Sequence, residues 1–142
     1  RNELLINRGR EEGITSGCYV LGANNIIGIV KEVSDRMARV RVLTDPASNT
    51  EAQINGLECI LSGNGNYTCK INMLPARHNI KEGDYVYIRK QPGRLDSAMV
   101  AGRVTECSID DDDPLLWDIT VKPTCSLENL VSVGVLIMNP AG

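Results

Sequence analysis

An all-β fold, arranged as two consecutive small β-barrel-like subdomains with mostly antiparallel strands, follows from three features of this 142-residue sequence. Apolar and polar residues alternate with a period of two in segment after segment, the pattern of strands with one buried and one wet face. Turn-forming clusters separate these segments at short intervals, as in barrels and sandwiches. An ordered set of strand motifs also appears twice along the chain, as expected of a duplicated β unit.

The elements follow in order. The runs 18-CYVLG-22 and 26-IIGIVKEV-33 flank Ala23-Asn24-Asn25, a turn signal. Next, 38-ARVRVL-43 sets Ala38, Val40 and Val42 on one face; Arg39 and Arg41, with Arg36 and Lys31 nearby, read as a wet face. Asp45-Pro46 ends that strand, and Asn55-Gly56 introduces 57-LECIL-61. After Gly63-Asn64-Gly65, the run 67-YTCKINM-73 alternates Tyr67, Cys69, Ile71 and Met73 with Thr68, Lys70 and Asn72. The runs 84-DYVYIR-89 and 99-MVAGRVTEC-107 lie either side of Pro92-Gly93. In 117-WDITVK-122, Trp117, Ile119 and Val121 share a face, and 131-VSVGVLI-137 is the last strand segment. The one helical turn expected is 126-SLENL-130, with Ser126 as its cap.

The duplication is visible in three places. Ile14-x-x-Gly17-x-x-Val20 returns as Ile80-x-x-Gly83-x-x-Val86, and Gly28-Ile-Val30-Lys-Glu32 returns as Gly102-Arg-Val104-Thr-Glu106. More loosely, 40-VRVLTDP-46 is matched by 119-ITVKP-123. The segment 62-SGNGN-66 falls between the copies, so the expected division is residues 1–63 and 64–142, with strands free to cross over.

Composition narrows the function. A formal net charge of −3, a pI near 5.2 and 4% aromatic residues supply neither the basic footprint nor the stacking platforms of a nucleic-acid binder. Cys18, Cys59, Cys69, Cys107 and Cys125 lack the paired spacing of zinc ligands and read as small apolar residues. Their odd number forbids complete pairing within the chain, while leaving room for one bridge outside the cytoplasm. No apolar run is long enough to span a bilayer. With Arg1 at its start, the sequence reads as a fragment.

Chemical motifs fail one by one. The opening stretch 7-NRGREEGITSGCYVLG-22 holds Gly9, Gly13, Gly17 and Gly22, but a β run follows where a phosphate loop needs a helix. Gly13, Gly17 and Gly83 are therefore expected as turn glycines. His78, the lone histidine, is the residue any serine or cysteine hydrolase on a double barrel would have to use. No strained nucleophile turn accompanies it. The run 110-DDDD-113 lacks the spaced ligands, central glycine and terminal glutamate of an EF-type calcium loop and reads as a solvated hairpin tip. The expected inventory is thus no catalytic, cofactor or metal residue.

Tyr85 and Tyr87 hint at a partner. If Val86 and Ile88 face the core, both tyrosines point outward, where they are favourable interface anchors; the opposite orientation makes them core.

Together, 4-LLINRGREEGITSGCYVL-21, 28-GIVKEVS-34, 43-LTDPASNTEAQI-54, 61-LSGNGN-66, 80-IKEGDYVYI-88, 102-GRVTE-106 and 119-ITVKPTCSLENLVSVGVLI-137 resemble the extracytoplasmic region of the bacterial cell-shape family MreC. No single motif is specific; their order is. The segment 89-RKQPGRLDSAMVAG-102 departs from the family's glycine-rich loop, and five cysteines exceed what an extracytoplasmic chain would carry.

The resemblance implies a non-enzymatic scaffold of the wall-elongation machinery, located in the periplasm and anchored to the inner membrane by a helix upstream of this segment. It implies contacts with a penicillin-binding transpeptidase and with membrane shape proteins such as MreD, and self-association into dimers or filaments. Exposed strand edges would serve such contacts. It implies no cofactor and no nucleic acid.

Overall fold

The computed structural model describes residues 3–125 and 133–135. Eleven strands are present among them: β1 (Glu3–Ile6), β2 (Tyr19–Gly22), β3 (Asn25–Val33), β4 (Ala38–Val42), β5 (Asn49–Ile54), β6 (Leu57–Gly63), β7 (Cys69–Ile71), β8 (Tyr85–Ile88), β9 (Met99–Ile109), β10 (Trp117–Pro123) and β11 (Gly134–Val135). They form a five-stranded sheet, β1-β4-β3-β2-β11, and a closed six-stranded barrel, β10-β7-β6-β5-β8-β9. Every described strand pair is antiparallel.

Alternation sets the burial. Val86 and Ile88 on β8, and Ile119 and Val121 on β10, are fully buried in the barrel. Two elements escaped the sequence reading: β1, which is only four residues long, and β5, whose inward Thr50, Ala52 and Ile54 include a polar residue. A 3-10 turn at Arg10–Glu12 was also unexpected; the Gly9 N–H donates to Glu12 Oε1 at 2.9 Å and holds it. The helical turn expected at 126–130 lies outside the described residues. Tyr67 and Met73 correct the reading of 67–73, because β7 is only Cys69–Ile71. Both have positive φ (60° and 65°) and are exposed.

Sheet membership does not divide at residue 63. β5 and β6 pair with β8 and β7, and Gly63-Asn64-Gly65 is the bend inside the β6–β7 hairpin. The sheets separate earlier, across the Thr44–Ser48 connection, and β11 returns from the far end of the chain to pair with β2. β5 belongs in the barrel because its Ala52 and Ile54 bury against the same cluster as Leu61, Ile71 and Val86. That cluster also takes Tyr19 and Ile26 from the first sheet, and Leu43 from the turn after β4. A second cluster, Ile14, Val20, Ile27, Val30, Ala38 and Val40, covers the sheet's other face. The five-stranded sheet is thus apolar on both sides, one side being its seat on the barrel.

The repeat extends to hydrogen bonding. Gly17 and Gly83 have φ of 96° and 92°, a left-handed turn that disfavours other residues. Gly17 N–H donates to Val30 O and Gly83 N–H to Val104 O, both at 2.8 Å. Val20 stands opposite Gly28, and Val86 opposite Gly102; a bulge follows Val20 and Val86 alike. An arginine also caps each turn. Arg103 Nε donates to Gly83 O at 3.0 Å and its guanidinium lies 5.1 Å from the Tyr85 ring. Arg94 Nη2 donates to Gly17 O at 2.9 Å and lies 4.9 Å from the Tyr19 ring.

The two clamps differ in reach. Arg103 joins neighbours within the barrel, whereas Arg94 reaches from the β8–β9 loop to the first sheet. Each charge-assisted bond and ring contact contributes about 1 kcal/mol at an exposed site. Arg94→Ala is expected to loosen the seat of the sheet on the barrel, seen as faster amide exchange at Gly17–Tyr19. Arg103→Ala should leave those amides unchanged.

Candidate functional site

Burial settles the orientation of β8. With Val86 and Ile88 inward, Tyr85 (44% exposed) and Tyr87 (40%) stand on the barrel exterior. Their ring centroids are 6.4 Å apart and the planes are tilted by 50°. Tyr87 lies opposite Gln53 on β5, and Arg103 steadies Tyr85 from β9. Beside the rings is a shallow depression of about 400 Å³ lined by Gln53, Asn55, Gly83, Asp84, Tyr85 and Tyr87. Two exposed aromatic rings with polar neighbours thus share one side of the barrel.

Asp84 anchors this surface. Burial by itself would raise its pKa, but hydrogen bonds from the Lys81 N–H (3.0 Å) and Asn55 Nδ2 (2.9 Å), with the Lys81 ammonium, bring it below the ordinary aspartate value. A depressed folded-state pKa stabilises the fold above the unfolded value of about 3.9, and that contribution is lost as pH falls through the lower folded value. Asp84→Ala should therefore lower the urea midpoint at pH 7, and the gap from wild type should narrow by pH 3. An undiminished gap at pH 3 would contradict this assignment.

The other sequence candidates are placed apart. The His78 carbonyl accepts the Trp117 Nε1–H bond at 2.8 Å; among the described residues no hydrogen bond joins its imidazole to a hydroxyl or thiol. Asp110–Asp113 cap their own turn, Asp110 Oδ1 accepting from Asp112 N and Asp113 Oδ1 from Leu115 N. No cluster of metal-ligating side chains occurs among the described residues. All five cysteines are free thiols. Cys69 is fully buried, donates to Leu43 O at 3.3 Å, and has its pKa pushed up to about 12 by burial; Cys59 is pushed to about 11.

Arg39 and Arg41 both keep solvent exposure, 45% and 38% at the side chain, as the alternation suggests; Arg41 in addition lines an open cleft between sheet and barrel. The cleft was not legible from alternation, since its far wall comes from the polar start of β5.

These features define a class: an antiparallel tandem-β domain with an exposed aromatic pair on its barrel and an open cleft between its two units. The family model described as rod shape-determining protein MreC, barrel core, matches residues 1–137. The chain is 33% identical over 103 residues to the cell shape-determining protein MreC of Caulobacter vibrioides, covering 71% of this chain and 30% of that protein. With MreC of Haemophilus influenzae it shares 27% identity over 134 residues, covering 92% and 38%. The chain thus spans between 30% and 38% of the length of these curated relatives. The crystal structure of MreC from Pseudomonas aeruginosa superimposes with a TM-score of 0.82 at 28% identity, covering 94% of this chain and 88% of that one. MreC from Helicobacter pylori, solved in a complex with the penicillin-binding protein PBP2, shares the fold at a TM-score of 0.59 and 15% identity, covering 82% and 74%. The chain belongs to the MreC family of rod shape-determining proteins.

Proposed function

We propose that this domain is a non-enzymatic scaffold of the wall-elongation machinery, carried in the periplasm on an inner-membrane anchor. It organises peptidoglycan synthesis by holding a penicillin-binding transpeptidase, alongside MreD and further copies of itself. Membership of the cell-shape family supports this reading, as does the Helicobacter pylori relative solved with PBP2. The observation that carries it in this chain is the exposed Tyr85–Tyr87 pair on a closed barrel. Tyrosine supplies large, amphipathic contact area and is enriched among residues that dominate interface energetics.

The test is binding of the cognate transpeptidase's periplasmic region to the immobilised domain. Tyr85→Ala/Tyr87→Ala is expected to weaken binding at least tenfold, about 1.4 kcal/mol or more. Because both rings are exposed, the double variant should keep its β-sheet circular dichroism and melt within a few degrees of wild type. Unchanged affinity in a folded double variant would remove the tyrosine face from the interface.

A further inference from the structure

Arg41 is held in an unusual state. It lies on β4 between Ile29 of β3 and Glu3 of β1, with its side chain turned toward the start of β5. Its Nε is buried and makes no hydrogen bond. The nearest carboxylate oxygen, Asp45 Oδ2, is 3.7 Å away, beyond the reach of an N–H···O bond. The two side chains are ion-paired at that distance, and the Ala47 N–H orients the carboxylate by donating to its Oδ1 at 2.9 Å. A buried donor without an acceptor is costly, and native structures contain few of them.

The space in front of this guanidinium is a cleft of about 380 Å³, at the low end of the range for ligand sites. Ile29 and Leu43 supply apolar lining, while Ser16, Lys31, Ser48 and Thr50 supply polar lining. Ser48 and Thr50 are buried, and their hydroxyls lie 3.4 Å apart. One of the two donates to the other, so one O–H proton is left for a third group. Ser16 Oγ donates to Lys31 O at 3.3 Å and fixes the rim. By strand register, Lys122 on β10 is the counterpart of Arg41, and it is exposed.

We propose that this cleft receives the carboxylate side chain of an aspartate or glutamate from a partner polypeptide. Arg41 donates from its terminal nitrogens, and the free hydroxyl of the Ser48–Thr50 pair donates to the same carboxylate. The planar fork of a guanidinium matches a carboxylate in a bidentate pair. Asp45 offsets part of the local positive charge, so the cleft favours a monoanion over a phosphate dianion, whose desolvation would need more cations.

Nuclear magnetic resonance of the 15N-labelled domain tests this, following the Arg41 Nε–H signal and the Ser48–Thr50 amides. The probes are N-acetyl-glutamic acid N-methylamide, its glutamine counterpart and inorganic phosphate. The glutamate probe should shift these signals saturably with a Kd of order millimolar, about 4 kcal/mol of binding, and the other two should not. Asp45→Asn keeps the carbonyl that accepts from Ala47 and removes a competing charge, so it should tighten binding at least threefold. Arg41→Lys keeps the charge but not the fork and should abolish saturation at the Ser48–Thr50 amides. No shift in the wild type, equal shifts with all three probes, or unaltered affinity in Asp45→Asn would each overturn the proposal.

Discussion

Leu95→Ala is expected to destabilise the domain by roughly 2–5 kcal/mol, the range for emptying a leucine-sized space in a packed core. Leu95 sits in the β8–β9 connection. From its sequence this looks like a surface loop, where truncation costs little. The structure makes it a plug. Gln91 and Leu95 exchange backbone hydrogen bonds at 2.8 Å, closing a tight bend over Pro92-Gly93 that drives the Leu95 side chain into the barrel core, where it is fully buried. Its companions there include residues of both units, such as Tyr19 and Ile26 as well as Val86 and Ile88. Urea denaturation should show a lower midpoint with an unchanged slope. A loss below about 1 kcal/mol would mean that the loop is not part of the core.

Gly28→Ala should be about as damaging, and more so than the same change at its counterpart Gly102. A Cβ at Gly28 would lie 2.4 Å from Arg41 O and 3.0 Å from Val42 Cα, both backbone atoms of the paired strand. Neither can yield without breaking the β3–β4 register. At Gly102 the closest atom is Val121 Cγ1 at 2.6 Å, a side-chain methyl, with Lys122 O at 3.0 Å. A rotamer change relieves part of that clash. Overpacking costs typically 1–3 kcal/mol and more where backbone must move, so Gly28→Ala should exceed Gly102→Ala by about 1 kcal/mol or more. Equal losses would imply that the β3–β4 pair gives way as easily as a side chain.

Most of the framework was legible because a period of two reports directly on which residues face a core. It put Ile119 with Val121, and Ala38 with Val40 and Val42, on one apolar face, and all five are buried; for Val86 and Ile88 it left both orientations open. It failed where burial is not apolar or strands are short. Thr50 is buried with a hydroxyl, so β5 did not stand out; Tyr67 and Met73 extend the alternation of β7 in sequence while their backbones leave the strand. Of the candidate site, the Gly17 and Gly83 turns and the conditional outward reading of the tyrosines could be argued from local pattern. Arg94 could not, because its carbonyl partner Gly17 lies 77 residues away, and neither could the turning of Arg41 toward β5. Local alternation contains nothing about which connection crosses which sheet.

The pairing of β11 with β2 has a consequence for biosynthesis. Six strands of barrel lie in the chain between β4 and β11, so the first sheet is not finished when its first four strands have been made. At roughly 5–20 residues per second, β2 waits several seconds on the ribosome, or through export, for its last neighbour. During that interval its edge is open, an invitation to mispairing. All six barrel strands are thus nested, in chain order, inside the sheet that β11 completes.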